Sequence, residues 1–204
     1  MLFRSDRTRV ELELAPSVAA PAALIAVGDY DLALAPRMPE VSTSATLPIP
    51  GNGFVWGMLN AVNKMGKVDP VTGNIEEFDI PVPNSFPRKA GFDANGDVWV
   101  GLHGAGKLMK IDHTNNKFTI FQPPTENSGV YAASVDQKSG LVWIAQQHVD
   151  KIGRFDPKTE KFTEFPLANA EEDHRRLEVD QKNPKRIWWS GNLSSKVGYI
   201  ELLD

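Results

Sequence analysis

The sequence contains no cysteine. That excludes a disulfide framework, thiolate chemistry and any thiolate-ligated metal. It has no run of the ~18 apolar residues that a membrane-spanning helix needs. Basic residues do not dominate: 22 Lys and Arg stand against 26 Asp and Glu, for a net charge of -4. The dense basic stripe of a nucleic-acid surface is therefore missing. So are a glycine-rich phosphate loop, a nucleophile elbow and the HExxH zinc motif. What the chain does hold is 15 Pro and 16 Gly among 204 residues, a supply of turn formers that suits many short strands.

A repeat organises most of the chain. Trp56, Trp99, Trp143 and Trp188 are spaced by 43, 44 and 45 residues. Each is followed eight residues later by a lysine: Lys64, Lys107, Lys151 and Lys196. Phe78, Phe121 and Phe165 lie nine residues after Asp69, Asp112 and Asp156. Each copy reads as up to four strands, alternating and rich in β-branched and aromatic residues, with turns such as Asn95-Gly96 and Thr72-Gly73 between them. A period near 44 with four strands per repeat is the signature of a propeller blade. The expected fold is all-β: a β-propeller with four blades of four-stranded antiparallel sheet, part of a six- or seven-bladed propeller. The blades are expected over about 46–81, 82–124, 125–167 and 168–204. The first copy shows no counterpart of the AGFD or ASVD first-strand segment, and residues 1–45 do not match the blade. They read either as an export signal interrupted by Glu11 and Glu13 or as an irregular segment.

The repeated tryptophan is expected in the core between blades. The repeated lysine is expected along a neighbouring strand with its head in water. Four blades leave two apolar sheet faces open. Remaining blades, or a second copy of the chain associating through those open edges, are the expected partners. Neither nucleic acid nor a membrane span is expected.

The segment KIGRFDPKTEKFTEFPL, from Lys151 to Leu167, resembles the blade consensus of the streptogramin B lyase (virginiamycin B lyase) family. That consensus runs Trp-Phe-x-Glu, Asn-Lys-Ile-Gly-Arg-Ile, Ile-x-Glu-Tyr-x-Leu-Pro. The likeness extends over about residues 51–203. It implies a propeller that opens the macrocyclic ester of a streptogramin B by elimination. The resemblance further implies a His base from a Pro-His-Gly motif, an assisting Glu after a blade Trp, and a magnesium ion polarising the ester. It also favours a bacterial protein that is periplasmic or secreted over a cytoplasmic one. The Pro-His-Gly histidine falls at Arg88, Tyr131 and Arg175, with only Pro87 keeping the proline and His174 one residue early. The family Glu is replaced by Asn60 or its neighbour, His103, Gln147-His148 and Asn192.

In this blade type two sets of loops share one rim, where propellers place their ligands. The candidate ligand-binding residues there are Arg88, His103, Tyr131, His148, His174, Arg175 and Asn192. Arg88 and Arg175, with His103 and His148, would form an anion pocket, since guanidinium forks suit carboxylates and phosphates. The other reading makes them solvated loop residues on separate blades. His103, His148 and Glu126 are a thin metal set. Asp93 to Asp97 reads better as a hairpin turn than as a calcium loop. His113 maps to the opposite rim. Two functions remain: a module binding an anionic small molecule within a larger exported protein, or a lyase or lactone-acting enzyme.

Overall fold

The computed structural model describes residues 43–45, 53–167 and 172–202; the alternative readings of residues 1–42 lie outside them. The strands β1 (Thr43–Ala45), β2 (Val55–Leu59), β3 (Lys64–Val68) and β4 (Ile75–Asp79) pair in that order as one antiparallel sheet. Strands β5 (Pro87–Phe92), β6 (Val98–Leu102), β7 (Lys107–Asp112) and β8 (Lys117–Phe121) form the second. The third holds β9 (Val130–Val135), β10 (Val142–Gln146), β11 (Lys151–Asp156) and β12 (Lys161–Pro166). In the fourth, β13 (His174–Val179), β14 (Arg186–Gly191) and β15 (Lys196–Glu201) make three strands. The propeller blades are thus present; the fourth has three strands among the described residues rather than four, and the first also departs from expectation. That blade has a first strand after all: β1 pairs with β2, Thr43 opposite Leu59, inside the segment read as non-matching. Among the described residues no helix is long and apolar enough to cross a membrane.

Local chemistry sets the strand ends. The residue before each repeated lysine adopts a left-handed conformation: Asn63 at φ 57°, Gly106 at 62°, Asp150 at 47° and Ser195 at 53°. Asn, Asp and Gly tolerate that region, so the corner from second to third strand recurs at one place in every blade. At the other rim, an aspartate closes the hairpin between first and second strands in the second, third and fourth blades: Asp93, Asp136 and Asp180. Asp93 Oδ1 accepts from the amides of Asn95 and Asp97, both at 3.0 Å, and its Oδ2 accepts the Trp99 indole N–H at 3.1 Å. Those bonds make residues 93–97 a hairpin turn, as expected.

The core lies between blades, in three layers. Trp56, Trp99 and Trp143 are 0%, 1% and 1% exposed, and each leads one layer. Trp99 meets Phe121 of its own blade and Phe155 of the next, both at 5.8 Å between ring centres. Trp56 pairs with Phe78 at 6.0 Å and Trp143 with Phe165 at 5.8 Å, which accounts for the repeated phenylalanine. Opposite each of these tryptophans in the sheet register stands a cation: Lys67, Lys110 or Arg154. Each sits 5.5–5.9 Å from the indole it faces. Trp188 is 37% exposed and lies with Val197 and Tyr199 on a face that no described blade covers. Trp56 Nε1 is buried without a hydrogen-bond partner, and residues 46–52, which link β1 to β2, include no aspartate.

The repeated lysines depart from expectation. Their heads are paired rather than left to water: Lys64 with Glu77 at 3.0 Å, Lys107 with Gln122, Lys151 with Glu164 at 2.9 Å and Lys196 with Glu172 at 3.4 Å. Glu164 is the most heavily bonded of these acceptors. It takes Thr125 N at 3.0 Å, Thr125 Oγ at 2.6 Å and Gln146 Nε2 at 2.9 Å, joining the third blade to the loop that enters it. Burial pushes its carboxyl up, but the hydrogen bonds from Thr125, Gln146 and Lys151 outweigh that and lower it to about 2.

Two outcomes follow for stability. Trp143→Ala costs about 3–5 kcal/mol, the range for truncating a fully buried large aromatic side chain, whereas Trp188→Ala costs well under half of that; urea unfolding of both variants measures the contrast, and equal losses contradict it. Glu164 has a folded-state pKa below its ordinary 4.5, so its contribution is complete above that pH and fades as pH falls toward about 2. Glu164→Gln is therefore less stable at neutral pH and loses less on acidification through that window, as read from unfolding free energies against pH.

Candidate functional site

The site is built by one backbone device used three times. At the head of each of β5, β9 and β13 the pairing register slips by one residue: between Pro87 and Ala90, beside Tyr131, and between His174 and Arg176. Such a bulge leaves a residue outside the ladder and turns its side chain away from the sheet. Arg88, Tyr131 and Arg175 stand at these bulges. Two residues earlier the chain is left-handed in all three blades: Phe86 at φ 46°, Gly129 at 65° and Asp173 at 48°. The carbonyls of these residues accept the amides of His103, Gln147 and Asn192 at 3.2, 3.0 and 3.2 Å. Each incoming loop is thereby clamped to the loop that leaves the second strand of its own blade.

The blades bring the rim residues into one cluster. The Arg88 and Arg175 guanidiniums lie 5.4 and 5.9 Å from the centre of the Tyr131 ring. The His103 ring meets Tyr131 edge-on at 5.3 Å and His148 at 4.6 Å. His103 Nε2 is 2.6 Å from Gln147 Oε1, and Gln147 Nε2 donates in turn to Asp173. Asp173 also receives Arg175, through Nη2 at 2.9 Å and Nε at 3.2 Å, and Asn192 Nδ2 at 2.9 Å. Of the seven candidate residues, Arg88, His103, Tyr131, His148, Arg175 and Asn192 therefore belong to one connected group. His148 holds its edge of it by donating from Nδ1 to Asn127 O at 3.2 Å, with its ring packed on Gly129.

His174 does not belong to it. The bulge that throws Arg175 onto the rim turns His174 inward, where it is 0% exposed. Its Nε2 donates to the Lys151 carbonyl at 2.8 Å and ties the fourth blade to the third. Burial lowers its pKa, and the backbone bond and the nearby carboxylates only partly oppose this. It is a structural imidazole. Asn63 is structural too: its amide bonds Ile80 O, Val82 O and Ser85 across the loop.

The two arginines also differ. Arg175 already has its fork on Asp173, so the pair is close to neutral. Arg88 makes no ion pair among the described residues, and its Nε is buried without a hydrogen-bond partner. Phe86, itself strained at positive φ, presents its ring 5.7 Å from the Arg88 guanidinium. Asp173 and the bridging role of Gln147 escaped the sequence reading. The signal for Asp173 was an acid two residues before a bulge position, visible only once the bulge is known.

Magnesium does not fit this rim. A hard cation needs several oxygen ligands. Asp173, the carboxylate in the connected group, is taken by Arg175, Gln147 and Asn192, and the uncompensated Arg88 repels a metal. His103, His148 and Glu126 form no metal-holding group. Among the described residues the one cluster of ligand type, Asp97, Asp112 and His113, lies on the opposite rim. There the Lys110 ammonium sits 2.8 Å from Asp97 and His113 Nδ1 2.9 Å from it.

The chain matches the virginiamycin B lyase family over residues 38–203. It belongs to that family. Solved structures agree in fold. A streptogramin B lyase structure superposes with TM-score 0.65 at 24% identity, over 74% of this chain and 52% of that one. Virginiamycin B lyase from Staphylococcus aureus gives 0.67 at 20% identity, over 82% and 58%. Kuenenia stuttgartiensis hydrazine synthase gives 0.56 at 10%, over 74% and 46%. The chain thus spans little more than half the length of the two lyases. No curated protein matches it.

Burial lowers the His103 pKa; the bond to Gln147 opposes this, and the neighbouring His148 ring and the Arg88 and Arg175 charges lower it further. Its titration midpoint, followed by proton NMR, is therefore expected below 6.5, and Arg88→Met raises it by removing one repelling charge.

Proposed function

We propose that this chain is a ligand-binding segment of a virginiamycin B lyase-family propeller whose rim takes an anionic small molecule. One observation carries the reading: Arg88 brings a charge to the cluster that no described carboxylate neutralises, with a buried donor left without an acceptor. An unpaired buried donor is destabilising unless a partner supplies the bond, and an anion supplies both bond and charge. The Tyr131 and Phe86 rings add flat apolar surface for the body of such a ligand.

A second reading, ring opening of a cyclic ester by elimination, draws its support from family membership. Against it stand Arg88, Tyr131 and Arg175 at the places of the family's histidine, and a rim hostile to magnesium. An exported location, periplasmic or secreted, remains part of the proposal. The uncovered Trp188 face is complementary to the element that covers Trp56, Trp99 and Trp143, namely another blade of this type.

Calorimetric titration with small carboxylates and inorganic phosphate tests the first reading. Arg88→Ala is expected to weaken binding at least tenfold, the loss of one charge-assisted contact. Arg175→Ala weakens it less, because that charge is already neutralised by Asp173. Equal affinity in wild type and Arg88→Ala overturns the proposal, and turnover of a streptogramin B with added magnesium moves the assignment to the second reading.

A further inference from the structure

We infer that the rim site selects hydroxylated carboxylates, with Arg88 holding the carboxylate and His103 Nδ1 accepting a hydrogen bond from the ligand's hydroxyl. This rests on the anion-binding reading and deepens it.

The argument follows proton positions along the His103–Gln147–Asp173 chain. Burial raises the Asp173 carboxyl, yet the bonds from Arg175, Gln147 and Asn192 outweigh it and hold the group below the usual carboxylate range. As a carboxylate it can only accept. Gln147 must then turn its amide nitrogen toward Asp173, as found, which leaves its carbonyl oxygen facing His103. A carbonyl only accepts, so His103 Nε2 carries the proton. In a neutral imidazole the other nitrogen, Nδ1, is then an acceptor. His103 Nδ1 has no hydrogen-bond partner among the described residues, and its ring is only partly buried.

The groups around the ring keep it neutral. Arg88, Arg175 and His148 face it, the first two as cations, and Asp173 reaches it only through the Gln147 amide. The lowered midpoint agrees with this. The rim therefore presents two complementary features against one Tyr131 ring: an unneutralised guanidinium and a fixed acceptor. The matching ligand carries an anion and a hydrogen-bond donor. An ammonium donor is repelled by Arg88, which leaves a neutral hydroxyl as the donor that fits. A ligand without it leaves the imidazole acceptor desolvated and unpaired, which is how a polar site rejects a deoxy analogue.

The test uses matched acids, 3-hydroxybutyrate against butyrate and lactate against propionate, titrated into the whole chain at pH 7.5. The hydroxy acid is expected to bind about tenfold more tightly, one hydrogen bond's worth. In His103→Phe that preference falls to within about twofold while carboxylate binding persists. In Arg88→Ala both acids of each pair weaken. Equal affinity of hydroxy and deoxy acids for the wild type overturns the inference and leaves anion binding standing. Absence of binding by every acid overturns anion binding and the inference with it. A second measurement needs neither ligand nor variant: nitrogen-15 NMR of wild-type His103 is expected to show a protonated Nε2 and a bare Nδ1, and the opposite tautomer overturns the assignment.

Discussion

The contact on which the rest depends is that of a tryptophan with the following blade. A blade is one sheet thick and cannot bury its own faces, so each gains its core only from a neighbour. Trp56, Trp99 and Trp143 fill that space, and the cation opposite each in the register covers the ring from the same sheet. The contact also sets how closely the first strands approach. A Cβ added at Gly91 would stand 2.7 Å from Ala133 O, and one at Gly101 2.5 Å from Val130 O. With those glycines β5 and β6 close on β9, and that closeness brings Arg88 to Tyr131. Packing at the sheet faces and chemistry at the rim are thus one geometric problem.

The rim itself is a socket that recurs in the second, third and fourth blades. A left-handed residue, one intervening residue and a bulge turn a single side chain out of the ladder. The second-strand loop then clamps that arrangement through the left-handed residue's carbonyl. The backbone is the same whether the socket holds Arg88, Tyr131 or Arg175. A fold with this property hosts different ligands without changing its core.

The period, the strand order, the buried tryptophans and the hairpin aspartates were legible because each follows from a local rule repeated from blade to blade. The short first strand was not, since Thr43–Ala45 lies in a segment with no sequence likeness to the other first strands. The pairing of the repeated lysines was misread because Glu77, Gln122 and Glu164 are distant in sequence and meet them only across the sheet. At the rim, counting from the repeat picked out seven candidates, and the structure brings six of them into one connected group. His174 failed by one residue: a bulge reverses which of two neighbours faces the core, and no count of apolar residues reveals it. Asp173 was missed for the same reason.

Asp173 explains why two arginines in equivalent sockets have different roles. Both guanidiniums reach the same tyrosine ring. In the fourth blade the left-handed residue two positions earlier is an acid, and it folds back onto Arg175 through two nitrogens. That arginine becomes scaffold, fixing Asp173, which fixes Gln147, which fixes His103. In the second blade the corresponding residue is Phe86, which has no charge to give and offers a ring face instead. Arg88 keeps its charge. An acid at 86 would turn Arg88 into a second scaffold pair, and a Phe at 173 would release Arg175 while freeing Gln147 to rotate. The division of labour at this rim thus turns on the identity of the left-handed residue, a position that backbone geometry alone would have assigned to glycine.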